Sequence, residues 1–219
     1  MAFLKTIALV LCAISLLATA RADDAGTDWR EASRSHGLVI YNRSKANSNV
    51  HEIKAVGTID APPWVVKNVI DDADHYASFM PYVAECRVIS RDSASIVSYQ
   101  RLSLPVVSDR DYVLQIRDES RRGDNGEIVY INRWKSTEAG IAEKPGIIRV
   151  KINEGSWVLE PADSGKRTQA TYFIYTDPGG KLPAWIINKS NSNVIPKVFD
   201  AVRKAAADPK YWKTKPARP

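Results

Sequence analysis

Nine segments of this chain alternate apolar and polar residues over lengths typical of β-strands. Most of them follow one another through short polar connections, and Gly123-Asp124-Asn125-Gly126 is a strong hairpin signal. Strands joined in this way favour one large antiparallel sheet. The predicted strands are Leu38–Arg43, Val50–Ile59, Ala84–Ser90, Ile96–Leu104, Asp111–Glu119, Glu127–Trp134, Ile147–Asn153, Ser156–Glu160 and Thr168–Thr176.

The end of the chain changes to a helical period. From about Pro183 to Ala207, apolar side chains that include Trp185 and Val198 recur on one stripe, while lysines and arginines lie off it. This pattern predicts an amphipathic helix, and Pro196 inside it predicts a kink or a break. Shorter helices are expected over residues 28–35, 61–70 and 76–79.

This order of elements is that of an α+β helix-grip fold. We expect a curved antiparallel sheet of about nine strands wrapped around the long C-terminal helix. A sheet curled that far encloses more volume than its side chains fill, so an internal ligand cavity is expected. One domain over residues 28–211 accounts for the pattern, followed by a basic tail at 212–219.

The N-terminus has the features of a cleaved secretory signal. Lys5 precedes the apolar run Thr6–Thr19, and Ala20-Arg21-Ala22 has small residues at both recognition positions. The run is too short for a comfortable membrane span, although an uncleaved anchor is the alternative. We therefore expect a signal peptide at 1–22, a flexible leader at 23–27, and a periplasmic or secreted protein.

The charge balance excludes one class of partner and favours another. Loss of Lys5 and Arg21 leaves 29 basic residues against 25 acidic ones, and the net charge falls from +6 to +4. This charge is too dispersed for a nucleic-acid binder, but it favours transient contact with anionic membrane surfaces. Only Cys86 remains after cleavage, which predicts a small core residue rather than a nucleophile, and a monomer is expected.

No set of residues has the spacing of a catalytic or metal site. The three histidines lie in different segments, without a nearby cysteine or serine in a nucleophile context. Asp71, Asp72, Asp74 and His75 form the one conceivable metal cluster, but a solvated turn at a helix end is favoured because no known ligand spacing is met. We therefore predict no catalytic residue, no metal and no cofactor.

Two charges near strand starts are the candidates for a polar end of the cavity. If Glu85 and Arg110 both faced inward, they would pair and orient a hydroxyl or head group. The alternative, two rim charges in an ordinary salt bridge, is slightly favoured by position alone. Strand alternation and the helix stripe predict that the other lining residues are Tyr112, Leu114, Trp134, Ile148, Val150, Ile152, Trp185 and Val198.

Four stretches, in this order, carry a resemblance to a known family. They are Met80–Glu85, Ser108–Val113, Gly155–Pro161 and Asp177–Asn188. Together they resemble the START (steroidogenic acute regulatory protein-related lipid-transfer) domain, from about Trp29 to Tyr211, which is nearly the whole of the chain expected after cleavage. The resemblance implies a helix-grip fold with a tunnel for one lipid. In sterol-transporting members a Glu and an Arg pair inside the tunnel at positions that match Glu85 and Arg110, which favours the cavity role.

The function that the resemblance implies is binding of one lipid, of the sterol or phospholipid class, and its carriage between membranes in the periplasm. The long helix and the loops at 104–107 and 140–146 are the expected gate. Two alternatives remain, an enzyme of the aromatase/cyclase or hydrolase type and a lipid sensor. The basic residues expected to touch anionic head groups are Lys189, Lys197, Arg203 and Lys204.

Overall fold

The computed structural model describes residues 28–93, 95–105, 107–124 and 126–215. The predicted signal peptide, the leader and residues 216–219 of the tail lie outside the described residues. The strands are β1 (Arg30–Ser35), β2 (Leu38–Arg43), β3 (Glu52–Ile59), β4 (Val83–Arg91), β5 (Ile96–Leu102), β6 (Arg110–Arg122), β7 (Ile128–Ser136), β8 (Ile148–Arg149), β9 (Ile152–Ala162) and β10 (Arg167–Asp177). The helices are α1 (Pro63–Asp71), α2 (Tyr76–Phe79) and α3 (Ala184–Ala206), with single 3₁₀ turns at Ala73–His75 and Pro209–Trp212.

In the described part of the chain, these strands form one sheet. Nine of them run in the order β1-β2-β3-β10-β9-β7-β6-β5-β4, each antiparallel to its neighbours. The short β8 lies parallel to the start of β6. The sheet curves around α3, so the predicted α+β helix-grip fold is confirmed.

The inner face of the sheet is apolar because alternate residues of each strand point to it. In β3, for example, Ile53, Ala55 and Ile59 are buried in the main core. Helix α3 covers this face with Ile195, Phe199, Val202 and Ala206, all buried. These buried residues lie on the apolar stripe that the sequence predicts for α3. The exception is Trp185 at the start of the helix, which is exposed.

Close contact between α3 and the sheet depends on a residue without a side chain. The Phe199 ring lies 5.1 Å from the Trp157 ring and 6.5 Å from the Tyr172 ring, centroid to centroid. A Cβ added at Gly57 would lie 3.1 Å from Cε1 of Phe199 and 2.9 Å from Cδ1 of Leu38. Glycine at this position lets the helix approach the backbone of β3.

Helix α1 seals a second part of the inner face. Its Pro63 occupies the first turn, where a missing N–H costs no hydrogen bond. Val65, Val66 and Val69 have no exposed surface, and Ile70 is buried beside them. Both α1 and α3 therefore bury one apolar stripe each in the same core.

The segment predicted as a first helix is a strand, so that prediction is wrong. Residues Arg30–Ser35 form β1 and pair with β2 across a turn in which His36 and Gly37 both have positive φ. Trp29 does not anchor a helix but lies beneath the Arg43 guanidinium, at 4.5 Å from its ring centroid. A segment this short is a poor isolated helix, whereas the edge of β2 offers it backbone hydrogen bonds.

Two other expectations about the chain path differ from the structure. The chain predicted as two strands, Ile147–Asn153 and Ser156–Glu160, forms the two-residue β8 and the long β9. Of the kink or break predicted at Pro196, the break is absent, since α3 is continuous and buried residues on both sides of Pro196 hold it against the sheet. Within the described residues, no helix is long and apolar enough to cross a membrane.

The predicted tail begins later than expected. Tyr211 is buried in the main core, and the Trp212 indole donates a 2.9 Å hydrogen bond to the carbonyl of Ala206. Asn68 of α1 donates to the carbonyls of Tyr211 and Thr214 at 2.8 Å each. The chain is therefore fastened to α1 as far as residue 214, because its carbonyls complete the hydrogen bonds of that side chain.

We predict that Gly155→Ala destabilises the sheet by about 3 kcal/mol, as overpacked cores do. The new Cβ would lie 2.3 Å from the carbonyl oxygen of Phe173 and 2.3 Å from Cζ2 of Trp134. Gly123→Ala is the matched control, since its Cβ would meet nothing closer than 3.5 Å. Urea unfolding of both variants measures the difference, and equal stabilities would contradict this account of Gly155.

Candidate functional site

The start of β6 sends alternate side chains to opposite faces of the sheet. Arg110, Tyr112 and Leu114 share the inner face, as the alternation predicts, while Asp111 and Val113 point outward. The antiparallel register with β5 places Leu102 opposite Arg110, Gln100 opposite Tyr112 and Ser98 opposite Leu114. Polar and apolar groups therefore meet on one patch of the inner face.

Arg110 is a buried cation in this patch, with 4% of its surface exposed. Its Nη1 donates to the carbonyl oxygen of Ser108. Burial lowers the pKa of the guanidinium, and the nearby charge of Asp109 acts in the opposite direction. Among the described residues, no carboxylate forms an ion pair with Arg110, and Asp109 acts on its charge only from a distance.

Glu85 does not provide that partner, and the predicted Glu85–Arg110 pair is wrong. The β4–β5 ladder has a bulge between Val83 and Glu85, after which Glu85 lies opposite Arg101. Arg101 lies opposite Asp111, on the outer face. The Glu85 carboxylate accordingly lies near outer cations, at 3.5 Å from Arg101, 3.4 Å from Arg87 and 3.8 Å from Lys144.

The other predicted lining residues divide into an inner and a surface group. Tyr112, Leu114 and Val150 form one buried cluster, and Trp134 packs against both this cluster and the main core. Val198 packs on the main core, and half-buried Ile148 lies near Gly179 and Gly180. The surface group is Ile152, which is 44% exposed, and Trp185, which is 67% exposed.

Ile152 and Trp185 therefore do not occupy the predicted inward positions. The chain leaves the sheet between β8 and β9, and this interruption changes the parity, so that Asn153 is buried and Ile152 is exposed. The Trp134 indole donates a 3.0 Å hydrogen bond to Oδ1 of Asn153. Trp185 lies at the start of α3, beyond the part of the helix that packs on the sheet.

A group of tyrosines completes the inner patch, and only Tyr112 among them was predicted. Tyr76 donates to the carbonyl of Ile70, and Tyr112 donates to Oε1 of Gln100 at 3.1 Å. The Tyr172 ring lies 5.7 Å from Trp134 and 4.6 Å from Trp157. Burial raises the pKa of all three phenols, so they stay neutral donors.

Cys86 has no features of a nucleophile. Burial raises the pKa of its thiol to about 12, with smaller contributions from Asp74 and Glu85. The thiolate, which is the reactive form, is therefore scarce at neutral pH. The predicted role as a packing residue fits this environment.

A cluster of three charges connects α1 to strand β6 of the sheet. The Lys67 ammonium contacts Oδ2 of Asp71 and lies 3.3 Å from Oδ2 of Asp118. Asn132 donates to the other oxygen of Asp118 at 2.7 Å. Burial raises the pKa of Asp71 to about 6 although Lys67 opposes the shift, and Oδ1 of Asp71 has no hydrogen-bond partner among the described residues.

The outer face holds one expected gate loop in place. Arg149 donates to both oxygens of Asp111, at 2.7 and 3.1 Å, and Tyr99 donates to the same carboxylate at 3.1 Å. The Arg149 guanidinium also donates to the carbonyls of Ile141 and Ala142, at 3.0 and 3.4 Å. The loop at 140–146 is therefore tied to the sheet, which argues against a gate there.

The cations expected on α3 have different surroundings. Nε of Arg203 donates to the carbonyl of Thr58, so this side chain fastens the helix to β3. The Lys197 ammonium donates to the Tyr82 hydroxyl at 2.5 Å. Lys204 is exposed and lines an open hollow of about 330 Å³ between α2 and α3. The side chain of Lys189 lies outside the described part of the structure.

The fold and this inner patch define a helix-grip protein in which a few buried polar side chains lie among the apolar residues of the inner face. The model of the START domain family matches residues 15–210. The chain therefore belongs to the START domain family, and the resemblance inferred from four stretches is confirmed.

Relatives of known description cover most of the chain. Mouse phosphatidylcholine transfer protein is 28% identical over 182 residues, which are 82% of this chain and 84% of the relative. A STAR-related lipid transfer protein from Xanthomonas axonopodis has a TM-score of 0.73 at 23% identity, covering 83% of this chain and all of that structure. Human STARD10 has a TM-score of 0.72 at 20% identity, over 85% and 76% of the two chains. The two structures support the fold alone.

We predict that Asp71→Asn changes how stability depends on pH. Because the folded-state pKa lies above the unfolded value of about 4, Asp71 favours folding most at low pH, and this contribution is lost as the pH rises through 6. Between pH 4 and pH 8, the free energy of unfolding of the variant should therefore rise by about 2 kcal/mol relative to that of the wild type.

Urea unfolding of both proteins across that range measures the effect. Asp60→Asn is the control, because the side chain of Asp60 is 85% exposed. If the Asp71→Asn and wild-type profiles ran parallel, burial would not govern the protonation of Asp71.

Proposed function

We propose that this chain binds one phospholipid between the inner face of the sheet and α3, and carries it between membranes. Lipid binding and transfer is the general function that the family and its named relatives support. Between the two lipid classes expected from the sequence, the surroundings of Arg110 favour the phospholipid.

The observation that carries this choice is that the buried Arg110 has no ion-pair partner among the described residues. A buried cation without a counter-ion is costly, and a ligand anion removes much of that cost. Guanidinium groups bind phosphate oxygens in a bidentate geometry that suits this role. A sterol would offer only a hydroxyl, which leaves the charge uncompensated.

Apolar neighbours of Arg110 suit the acyl chains. Leu102, Leu114 and Val150 lie on the same patch, with Trp134 at its border to the main core. Each Å² of chain surface removed from water contributes roughly 25 cal/mol. A phosphate at Arg110 and acyl chains along these side chains would therefore satisfy both parts of the patch.

Exchange of the ligand requires that α3 moves, and the start of the helix suits contact with a membrane. Trp185 is exposed there, and tryptophan favours the interface between head groups and acyl chains. Lys197 and Lys204 are exposed on the same helix and would attract anionic lipids. We place this exchange in the periplasm, because the N-terminal sequence resembles a secretory signal.

The proposal involves no chemical conversion of the ligand. The raised pKa of the Cys86 thiol argues against covalent catalysis by the cysteine that would remain after signal cleavage. The buried phenols have raised pKa values too, so they suit hydrogen bonding better than proton abstraction. No observation on the described residues of this patch favours the enzyme alternative over lipid carriage.

We predict that Arg110→Met lowers phospholipid binding by about tenfold, because it removes the phosphate partner and keeps the apolar stem. Arg117→Met is the matched control, since Arg117 is exposed on the same strand. Mass spectrometry of lipids extracted from the purified proteins measures the lipid bound per chain. Equal phospholipid content in both variants, or recovery of a sterol from wild type, would contradict the proposal.

A second prediction concerns the membrane step. Transfer between anionic vesicles should slow several-fold as salt rises from about 0.05 to 0.5 M, because salt screens the attraction of the basic helix. Trp185→Ala should slow transfer further without lowering the lipid bound per chain. A fluorescent phospholipid reports the rate, and neutral vesicles are the control. If the transfer rate changed neither with salt nor in Trp185→Ala, the membrane contact would not involve the start of α3.

A further inference from the structure

Four polar side chains of β5 and β6 share the inner face, and the proposed function uses only one of them. They are Ser98, Gln100, Arg110 and Tyr112, which we call the inner polar row. Each has less than one tenth of its surface exposed. Polar groups buried in an apolar core need hydrogen-bond partners, so the donors and acceptors of this row should each have one.

Several donors of the inner polar row have no hydrogen-bond partner among the described residues. The Tyr112 hydroxyl donates to Oε1 of Gln100, while the Nε2 amide of Gln100 donates to none of the described residues. Oγ of Ser98 is buried and has no partner among the described residues. Arg110 donates one hydrogen bond, to a backbone carbonyl. An unsatisfied buried group such as Oγ of Ser98 costs about 1–3 kcal/mol. Together with the unused donors of Gln100 and Arg110, it makes the row suit a ligand rich in acceptors.

The charges around the row make it positive. Asp111, next to Arg110 in sequence, points to the outer face and is held there by Arg149. The carboxylates of Asp71 and Asp118 share the Lys67 ammonium. Asp109, whose charge also acts on Arg110, is ion-paired with Arg101. The four residues of the row therefore include one cation and no carboxylate to bind a positively charged head group.

The aromatic residues nearby are engaged with one another. Tyr172 packs against Trp134, Trp157 and Phe199, with ring centroids 5.7, 4.6 and 6.5 Å away. A quaternary ammonium group binds over open aromatic faces. Tyr172 is packed among three other rings, so it is less open to a choline head group than an isolated ring would be.

From these observations we propose that the inner polar row selects anionic phospholipids whose head group carries hydroxyls, the chemistry of phosphatidylglycerol. This inference rests on the proposed binding of a phospholipid. Arg110 takes the phosphate, and the Gln100 amide and Ser98 hydroxyl bind the oxygens of the head group. Choline and ethanolamine lipids are disfavoured because their cations would face Arg110 with no carboxylate beside them.

The test is competition between head groups at constant acyl chains. The full chain is incubated with vesicles of equal phosphatidylglycerol, phosphatidylcholine and phosphatidylethanolamine, re-isolated, and its lipid identified by mass spectrometry. We expect phosphatidylglycerol to exceed each of the other two by about tenfold. Gln100→Leu should lower that ratio about fivefold, because it removes one of the donors to the head group and leaves Arg110 to bind the phosphate.

Gln115→Leu is the matched control, because Gln115 lies on the outer face of β6 and should leave the ratio unchanged. If Gln100→Leu fails to fold, Ser98→Ala replaces it, since it removes one hydroxyl and little volume. A preference for phosphatidylcholine, or a ratio indifferent to both inner substitutions, would overturn the inference and leave phospholipid carriage intact. A protein that takes up none of the three lipids would overturn the proposed function itself.

Discussion

The structure depends on the burial of one face of a single curved sheet beneath α3. Phe199 is the centre of this contact, since its ring packs on Trp157 and its approach relies on the missing side chain of Gly57. Without the helix, the inner residues of β3, β9 and β10 would face water. The element that stabilises the fold is thus the element that must move to admit a ligand, so loading and stability are thermodynamically linked.

Strand alternation was sufficient to predict part of the site. It placed Arg110, Tyr112 and Leu114 on one face because β6 runs there without interruption. It failed for Ile152, because the gap between β8 and β9 reverses which face each later residue points to. The inward position of Glu85, which the family resemblance implied, is wrong because the bulge in β4 adds one residue and turns Glu85 outward. Such irregularities are set by tertiary pairing, which the sequence pattern does not contain.

The remaining features of the site are products of long-range geometry. Gln100 and Tyr112 meet because β5 and β6 pair in one register, and Tyr172 reaches the patch from β10. Lys67 acts on Asp118 across more than fifty residues of chain. The sequence does contain a signal for this patch, namely polar residues at inward positions of an otherwise apolar strand, as at Ser98 and Gln100.

Two consecutive residues of β6 send opposite charges to opposite sides of the sheet. The Asp111 carboxylate is clamped by Arg149 outside, whereas the Arg110 guanidinium lies inside. If β6 paired one position out of step, an anion would enter the apolar interior and its clamp would be lost. The two charges therefore disfavour a shifted register of β6 during folding, because the shifted sheet would bury a carboxylate without a partner.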